Sequence, residues 1–201
     1  MKYIYKEPKN GSEKTILLLH GTGGTEQDLL PLAEIVDPNA AVLSVRGNVS
    51  ENGMPRFFKR LAAGVFDEED LILRTEELYN FLDEAAQEHG FDRKQVTAIG
   101  YSNGANIAAS LLFHYENALE GAVLHHPMVP RRRIELPSLN TKVFIAAGKN
   151  DPMCSPEEAE ELDHLLASAG ADVTTYWENN GHQLTQTEVM QAKKWYEEVV
   201  K

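Results

Sequence analysis

Six short runs rich in apolar and β-branched residues alternate along the chain with longer segments in which apolar residues recur every three to four positions. The runs are residues 15–19, 41–45, 96–99, 122–124, 143–147 and 173–177. A strand that is apolar on both faces must be covered on both faces, and neighbouring parallel strands need crossover connections long enough to hold a helix. The pattern therefore predicts an α/β chain with a mostly parallel sheet between two helical layers, a three-layer α/β/α sandwich. A length of 201 residues suits one such core, so residues 1–201 are expected to form a single domain with no room for a large cap.

The helical segments carry their own punctuation. Thr25 is placed to cap a helix through Leu29, Leu32, Ala33 and Val36, which Pro38 ends. Residues 67–88 form an amphipathic helix through Leu71, Leu78, Phe81, Leu82 and Ala85, acidic at its start and stopped by Gly90. Further helices are predicted from Ala105, over 156–169 and over 188–200. Residues 46–66 form a long connection bearing Gly47, Gly53, Pro55 and Gly64, and connections of that length are uncommon unless functional.

A formal net charge of −12 argues against nucleic acid and anionic membranes as partners, because both are bound chiefly through Lys and Arg. The basic cluster Arg131, Arg132, Arg133 reads as a solvated loop. The lone cysteine, Cys154, forms no intrachain disulfide and suits a reducing compartment. Residues 1–8 are too charged for a secretory signal, and no apolar run has transmembrane length. A cytoplasmic location without membrane attachment is expected. Oligomeric state, monomer or homodimer, is not legible.

The run at 96–99 leads directly into Gly100-Tyr101-Ser102-Asn103-Gly104 and then into a helix. This is G-x-S-x-G in the strand–turn–helix setting that gives the motif its meaning. A turn that sharp holds the serine in a strained conformation and requires flanking positions without side chains, which Gly100 and Gly104 supply. It also presents Ser102 at a helix N-terminus, where unpaired N–H groups favour developing negative charge.

A serine hydroxyl needs a base, and that base needs a carboxylate to orient it. The strand–elbow–helix context predicts the chain order Ser, Asp or Glu, His. Asp151 follows the run at 143–147 and His182 follows the run at 173–177, so both sit at the carboxyl edge of the sheet. Asp163 and Asp172 fall on a helix and at the start of a strand, at the wrong edge. Among the other histidines, His20 shapes the glycine turn, His125 and His126 can line a pocket, and His89, His114 and His164 read as solvated helix residues. The catalytic residues are thus expected to be Ser102, Asp151 and His182. The oxyanion hole is expected from the N–H groups of Asn103 and of Thr22 in His20-Gly21-Thr22-Gly23-Gly24.

These motifs, with Gly148-Lys149-Asn150-Asp151-Pro152 and Asn180-Gly181-His182, resemble the carboxylesterase/phospholipase branch of the α/β hydrolases, the branch of small bacterial esterases, lysophospholipases and acyl-protein thioesterases. Pro55-Arg56-Phe57-Phe58-Lys59-Arg60 and Phe66-Asp67-Glu68-Glu69-Asp70-Leu71 further resemble bacterial hydrolases associated with hydroquinone resistance. Thioesterases of the branch commonly carry Gln after the serine, where this chain has Asn103. The expectation is a serine carboxylesterase acting on small esters through an acyl-enzyme. Lysophospholipase or acyl thioesterase activity, and a ligand-binding module on the same fold, are the alternatives. Gly23, Met54, Phe57, Phe58 and His126 are the expected substrate contacts; Met54, Phe57, Phe58, Leu61 and Phe66 of the long connection are placed to flank an acyl group, with packing in the core an equal reading for these five. Arg56 is read as a surface ion pair that could instead steer an anionic substrate. Cys154 lacks a base spaced to activate it, no metal-ligand spacing such as His-Glu-x-x-His occurs, and no cofactor is implied.

Overall fold

The computed structural model describes residues 1–201. In chain order the elements are β1 (Lys2–Lys6), β2 (Thr15–Leu19), α1 (Leu30–Val36), β3 (Ala41–Arg46), β4 (Val49–Glu51), β5 (Met54–Arg56), β6 (Arg60–Ala62) and β7 (Val65–Phe66). There follow α2 (Glu68–His89), β8 (Val96–Tyr101), α3 (Asn103–His114), β9 (Gly121–His125), β10 (Lys142–Gly148), α4 (Pro156–Ser168), β11 (Asp172–Glu178) and α5 (Gln186–Trp195).

Seven strands form the sheet in the order β1-β3-β2-β8-β9-β10-β11. All neighbours are parallel except β1, which lies antiparallel on β3 with Tyr3 opposite Val45. In β2, Leu17 and Leu19 belong to the core on the side of α2, α3 and α4, while Ile16 and Leu18 belong to the core on the side of α1 and α5. The two faces are therefore covered as the continuous apolar runs require, and each fully buried leucine contributes about 2 kcal/mol. The result is the predicted three-layer α/β-hydrolase sandwich.

Two features go beyond the predicted pattern, and one expectation needs correction. The charged N-terminal stretch is an edge strand, because Tyr3 and Tyr5 lay one face of it on Phe81, His89 and Phe91. The long connection at 46–66 folds into two antiparallel hairpins, β4–β5 and β6–β7. Thr25 does not cap α1. Its hydroxyl donates to Asp28 Oδ1 at 2.8 Å in a preceding turn, and α1 begins only at Leu30, with a proline in its first turn. By contrast α2 has the expected ends, with the Asp67 carboxylate accepting from the Asp70 N–H and Gly90 in the left-handed conformation. The histidines read as solvated differ in surroundings: His164 is exposed, His89 stacks on Tyr5, and His114 is half-buried against Arg131 and the Ser110 carbonyl.

Candidate active site

The elbow is set by close approach of β2, β8 and α3. A Cβ on Gly104 would sit 1.9 Å from the Leu19 carbonyl oxygen, and one on Gly100 would sit 2.6 Å from the Gly104 carbonyl oxygen. Neither position can carry a side chain at this separation. Ser102 between them has φ 52°, a conformation L-residues avoid, and is held there by its N–H donating to the His125 carbonyl at 2.9 Å. Its hydroxyl makes no capping bond to α3 and is left free for other partners.

Asp151 and His182 arrive from neighbouring strands. Gly148, the last residue of β10, pairs in register with Glu178, the last of β11, so the loops that follow emerge side by side. They are stitched together by Lys149 N–H to the Glu178 carbonyl at 2.8 Å and by Asn150 Nδ2 to the Asn179 carbonyl at 2.7 Å. The second loop is then drawn back toward β8 by the Tyr101 hydroxyl, which donates to the His182 carbonyl at 2.8 Å. In this arrangement His182 Nε2 lies 2.9 Å from Ser102 Oγ, and His182 Nδ1 lies 2.8 Å from Asp151 Oδ2.

Asp151 is a strong acceptor in a buried position. Its Oδ1 takes the N–H groups of Met153 at 2.8 Å and Cys154 at 2.9 Å. Burial pushes the carboxyl pKa up, but the Cys154 N–H, the His182 ring and the Met153 N–H together hold it below the ordinary value. The carboxylate stays ionised and keeps the His182 Nδ1 proton directed at itself.

Behind Asp151 lies a second buried layer. His126 is 1% exposed and has φ 53°; its Nδ1 lies 3.0 Å from Asp151 Oδ2 and its Nε2 lies 3.2 Å from Glu188 Oε2. An ionised carboxylate only accepts, so both ring nitrogens are placed to donate, an arrangement that favours the imidazolium form. Burial alone would lower the His126 pKa, yet Glu188 and Asp151 outweigh it and raise the value. Glu188, 0% exposed, also faces His125 Nδ1 at 2.6 Å. Burial would raise its pKa, but the two histidines hold it down to about 2. The ligand-type atoms of His126, Asp151 and His182 lie within 4.8 Å of one another. Both Nδ1 atoms already face Asp151 Oδ2, so this is a proton-sharing cluster and we assign it no metal.

On the other side of Ser102 the N–H groups of Thr22 and Asn103 donate to no protein acceptor, and both residues line the same cavity as the serine. Their side chains are fixed by the segment after β4. Thr22 Oγ1 accepts from Arg56 Nη1 at 2.7 Å, and Asn103 Oδ1 accepts from the Phe57 N–H at 2.7 Å. The cavity has a volume of about 210 Å³ and is walled by Arg56, Arg60, Phe66, Met128 and Met153 among others.

Several expected substrate contacts lie elsewhere. Phe57 and Phe58 are 1% and 0% exposed and belong to the core, because the first hairpin turns them inward against α2 and α3. His126 stands behind Asp151, and Gly23 and Met54 touch each other outside the cavity. Arg60, Met128 and Met153 were missed. The one legible signal was the pair of arginines in Pro55-Arg56-Phe57-Phe58-Lys59-Arg60, of which Arg56 turns out buried rather than on the surface. Cys154 donates its thiol to the His126 carbonyl at 3.2 Å, and burial pushes its pKa far up, which leaves it inert.

A family model described as Phospholipase/Carboxylesterase matches residues 4–200. The chain is 60% identical over 201 residues to the Bacillus subtilis (strain 168) protein named "Putative hydrolase MhqD", covering 100% of both. Among solved structures it is similar to a Bacillus cereus carboxylesterase, at TM-score 0.97 and 68% identity over 98% of this chain and 94% of that one. It is also similar to YahD, solved with malic acid, at TM-score 0.92 and 33% identity over 98% of each chain. No helix is long and apolar enough to cross a membrane. On fold, motifs and these similarities, the chain belongs to the phospholipase/carboxylesterase family of α/β hydrolases.

Proposed function

We propose that this hydrolase is a serine carboxylesterase for small esters, with Ser102 as nucleophile, His182 as base and Asp151 as the residue that orients the imidazole. The observation that carries the reading is the continuous line from Asp151 Oδ2 through His182 to Ser102 Oγ, at 2.8 and 2.9 Å, opening on a cavity with two unpaired N–H groups. Ser102 Oγ attacks the carbonyl carbon as His182 Nε2 takes its proton, and the N–H groups of Thr22 and Asn103 receive the oxyanion. Collapse breaks the bond to the alcohol, which leaves with the proton from His182 and strands the acyl group on Ser102. Water then loses a proton to the same nitrogen, attacks the acyl carbon, and releases the acid as Ser102 regains its proton.

Similarity to a carboxylesterase supports the reaction class. A cavity of about 210 Å³ favours a short acyl group over the chain of a lysolipid. A fluorophosphonate probe should label the wild type and not Ser102→Ala, and that variant should lose at least about a thousandfold in turnover of a short-chain aryl ester while melting as the wild type does. Labelling at another residue, or undiminished turnover by the variant, refutes the assignment.

A further inference from the structure

The cavity beside Ser102 is lined by two guanidinium groups and by no carboxylate, in a chain of net charge −12. Arg56 is 3% exposed, yet it is not matched by a carboxylate of its own. Its Nε donates to the Phe58 carbonyl at 3.1 Å and its Nη1 to Thr22 Oγ1 at 2.7 Å, both neutral acceptors. The carboxylate nearest to it, Glu51, lies 3.3 Å from Arg56 Nε and 2.9 Å from Arg60 Nε, so one negative charge serves two positive ones. Arg56 Nη2 makes no hydrogen bond and is not sealed from solvent. Burial lowers the pKa of Arg56, and so does Arg60, with Glu51 opposing them. A buried cation left short of a counter-charge is costly unless an anion completes it, and the planar fork of a guanidinium matches a carboxylate in two parallel hydrogen bonds.

We propose that Arg56, supported by Arg60, forms a carboxylate subsite for the acyl part of the substrate, so that the preferred esters carry a free acid group, as the half-esters of dicarboxylic acids do. The inference rests on the serine-esterase reading. It assigns the subsite to the acyl side because His182, which hands its proton to the departing alcohol, does not line this cavity, whereas Thr22 and Asn103 do. Arg56 is anchored to Thr22 itself, so the same residue ties the anion subsite to the proposed oxyanion hole.

The test compares the para-nitrophenyl half-ester of adipic acid with para-nitrophenyl hexanoate, which has a methyl group in place of the carboxylate. The wild type should favour the half-ester in kcat/KM by about ten- to hundredfold, chiefly through KM, with the preference shrinking as salt is added. Arg56→Gln should bring the ratio to within about threefold of one, and Arg56→Lys should retain an intermediate preference. A wild-type ratio at or below one, or an Arg56→Gln variant that slows both esters equally, overturns the subsite. Should Arg56→Gln fail to fold, the partly exposed Arg60→Gln must lower the ratio instead. Calorimetry on Ser102→Ala reads the subsite without turnover: monomethyl adipate should bind about tenfold more tightly than methyl hexanoate. Equal binding there defeats the subsite alone, whereas tight binding of the adipate with no cleavage of either aryl ester by the wild type defeats the esterase reading alone.

Discussion

Asp151 accepts four hydrogen bonds, two from backbone N–H groups and two from imidazoles, and the second imidazole is the less expected one. His126 is clamped between Asp151 and Glu188 in a left-handed backbone conformation that a histidine adopts only when its surroundings enforce it. Removing the ring would leave two buried carboxylates short of donors, and breaking a buried ion pair from one side costs about 3 to 5 kcal/mol. We therefore expect His126→Ala to lower the unfolding free energy in urea by about 3 kcal/mol or more, and Glu188→Gln in the same chain to cost less than it does alone. Strictly additive losses in that double-mutant cycle would show that the two side chains are not coupled.

At the scale of elements, the decisive junction is where α3 leaves β8 against β2. The stretch from Asn103 to Phe113 is buried throughout, and Gly104 lets its first turn touch the end of β2. With a methyl group there, the helix would have to retreat from the Leu19 carbonyl and carry the elbow with it. Gly104→Ala should cost about 3 kcal/mol or more, as severe overpacking does, and should abolish fluorophosphonate labelling of Ser102. An unchanged urea midpoint would mean that α3 and β2 are less closely apposed. The paired loops after β10 and β11 are a second junction of this kind, since the strand register sets them side by side and the Asn150 and Tyr101 hydrogen bonds bring Asp151 and His182 to one place.

For the molecule as a whole, the buried layer behind Asp151 contributes to the acid limit of stability, as does Glu26 in its pairing with Lys2 and Arg46. The Glu188 pKa falls from 4.5 to about 2 on folding, so its contribution is present above the ordinary value and is lost as pH falls through the folded one. That shift is worth about 3 kcal/mol at most, lost between pH 4.5 and about 2. The raised His126 value has the opposite sign: its contribution is complete below the ordinary 6.5 and disappears as pH rises through the folded value. Urea titrations across acid pH should show a shallower loss of stability in Glu188→Gln than in the wild type. Parallel curves would place the acid sensitivity in other carboxylates.

Apolar periodicity, the glycines of the elbow and the order Ser102, Asp151, His182 are all properties of chain segments a few residues long, so the layered sheet and the candidate triad were legible before any coordinates. Local signals failed where half-burial or distant partners decide. β1 is a strand only because β3, Phe81 and Phe91 cover part of it, and the two hairpins at 46–66 are too short to announce a period. Phe57 and Arg56 are adjacent in the chain, yet packing against α3 sends one into the core and leaves the other on the cavity wall. His126 and Glu188 are 62 residues apart and meet only because β9 and the start of α5 end up on the same rim. The sequence by itself determined the six buried strands, the helices that cover them and the chemical groups that stand at their ends, because those follow from short-range sterics and apolar patterning. The tertiary structure alone decided what lines the cavity and what stands behind Asp151, because side-chain direction in a loop is set by the surfaces it packs against.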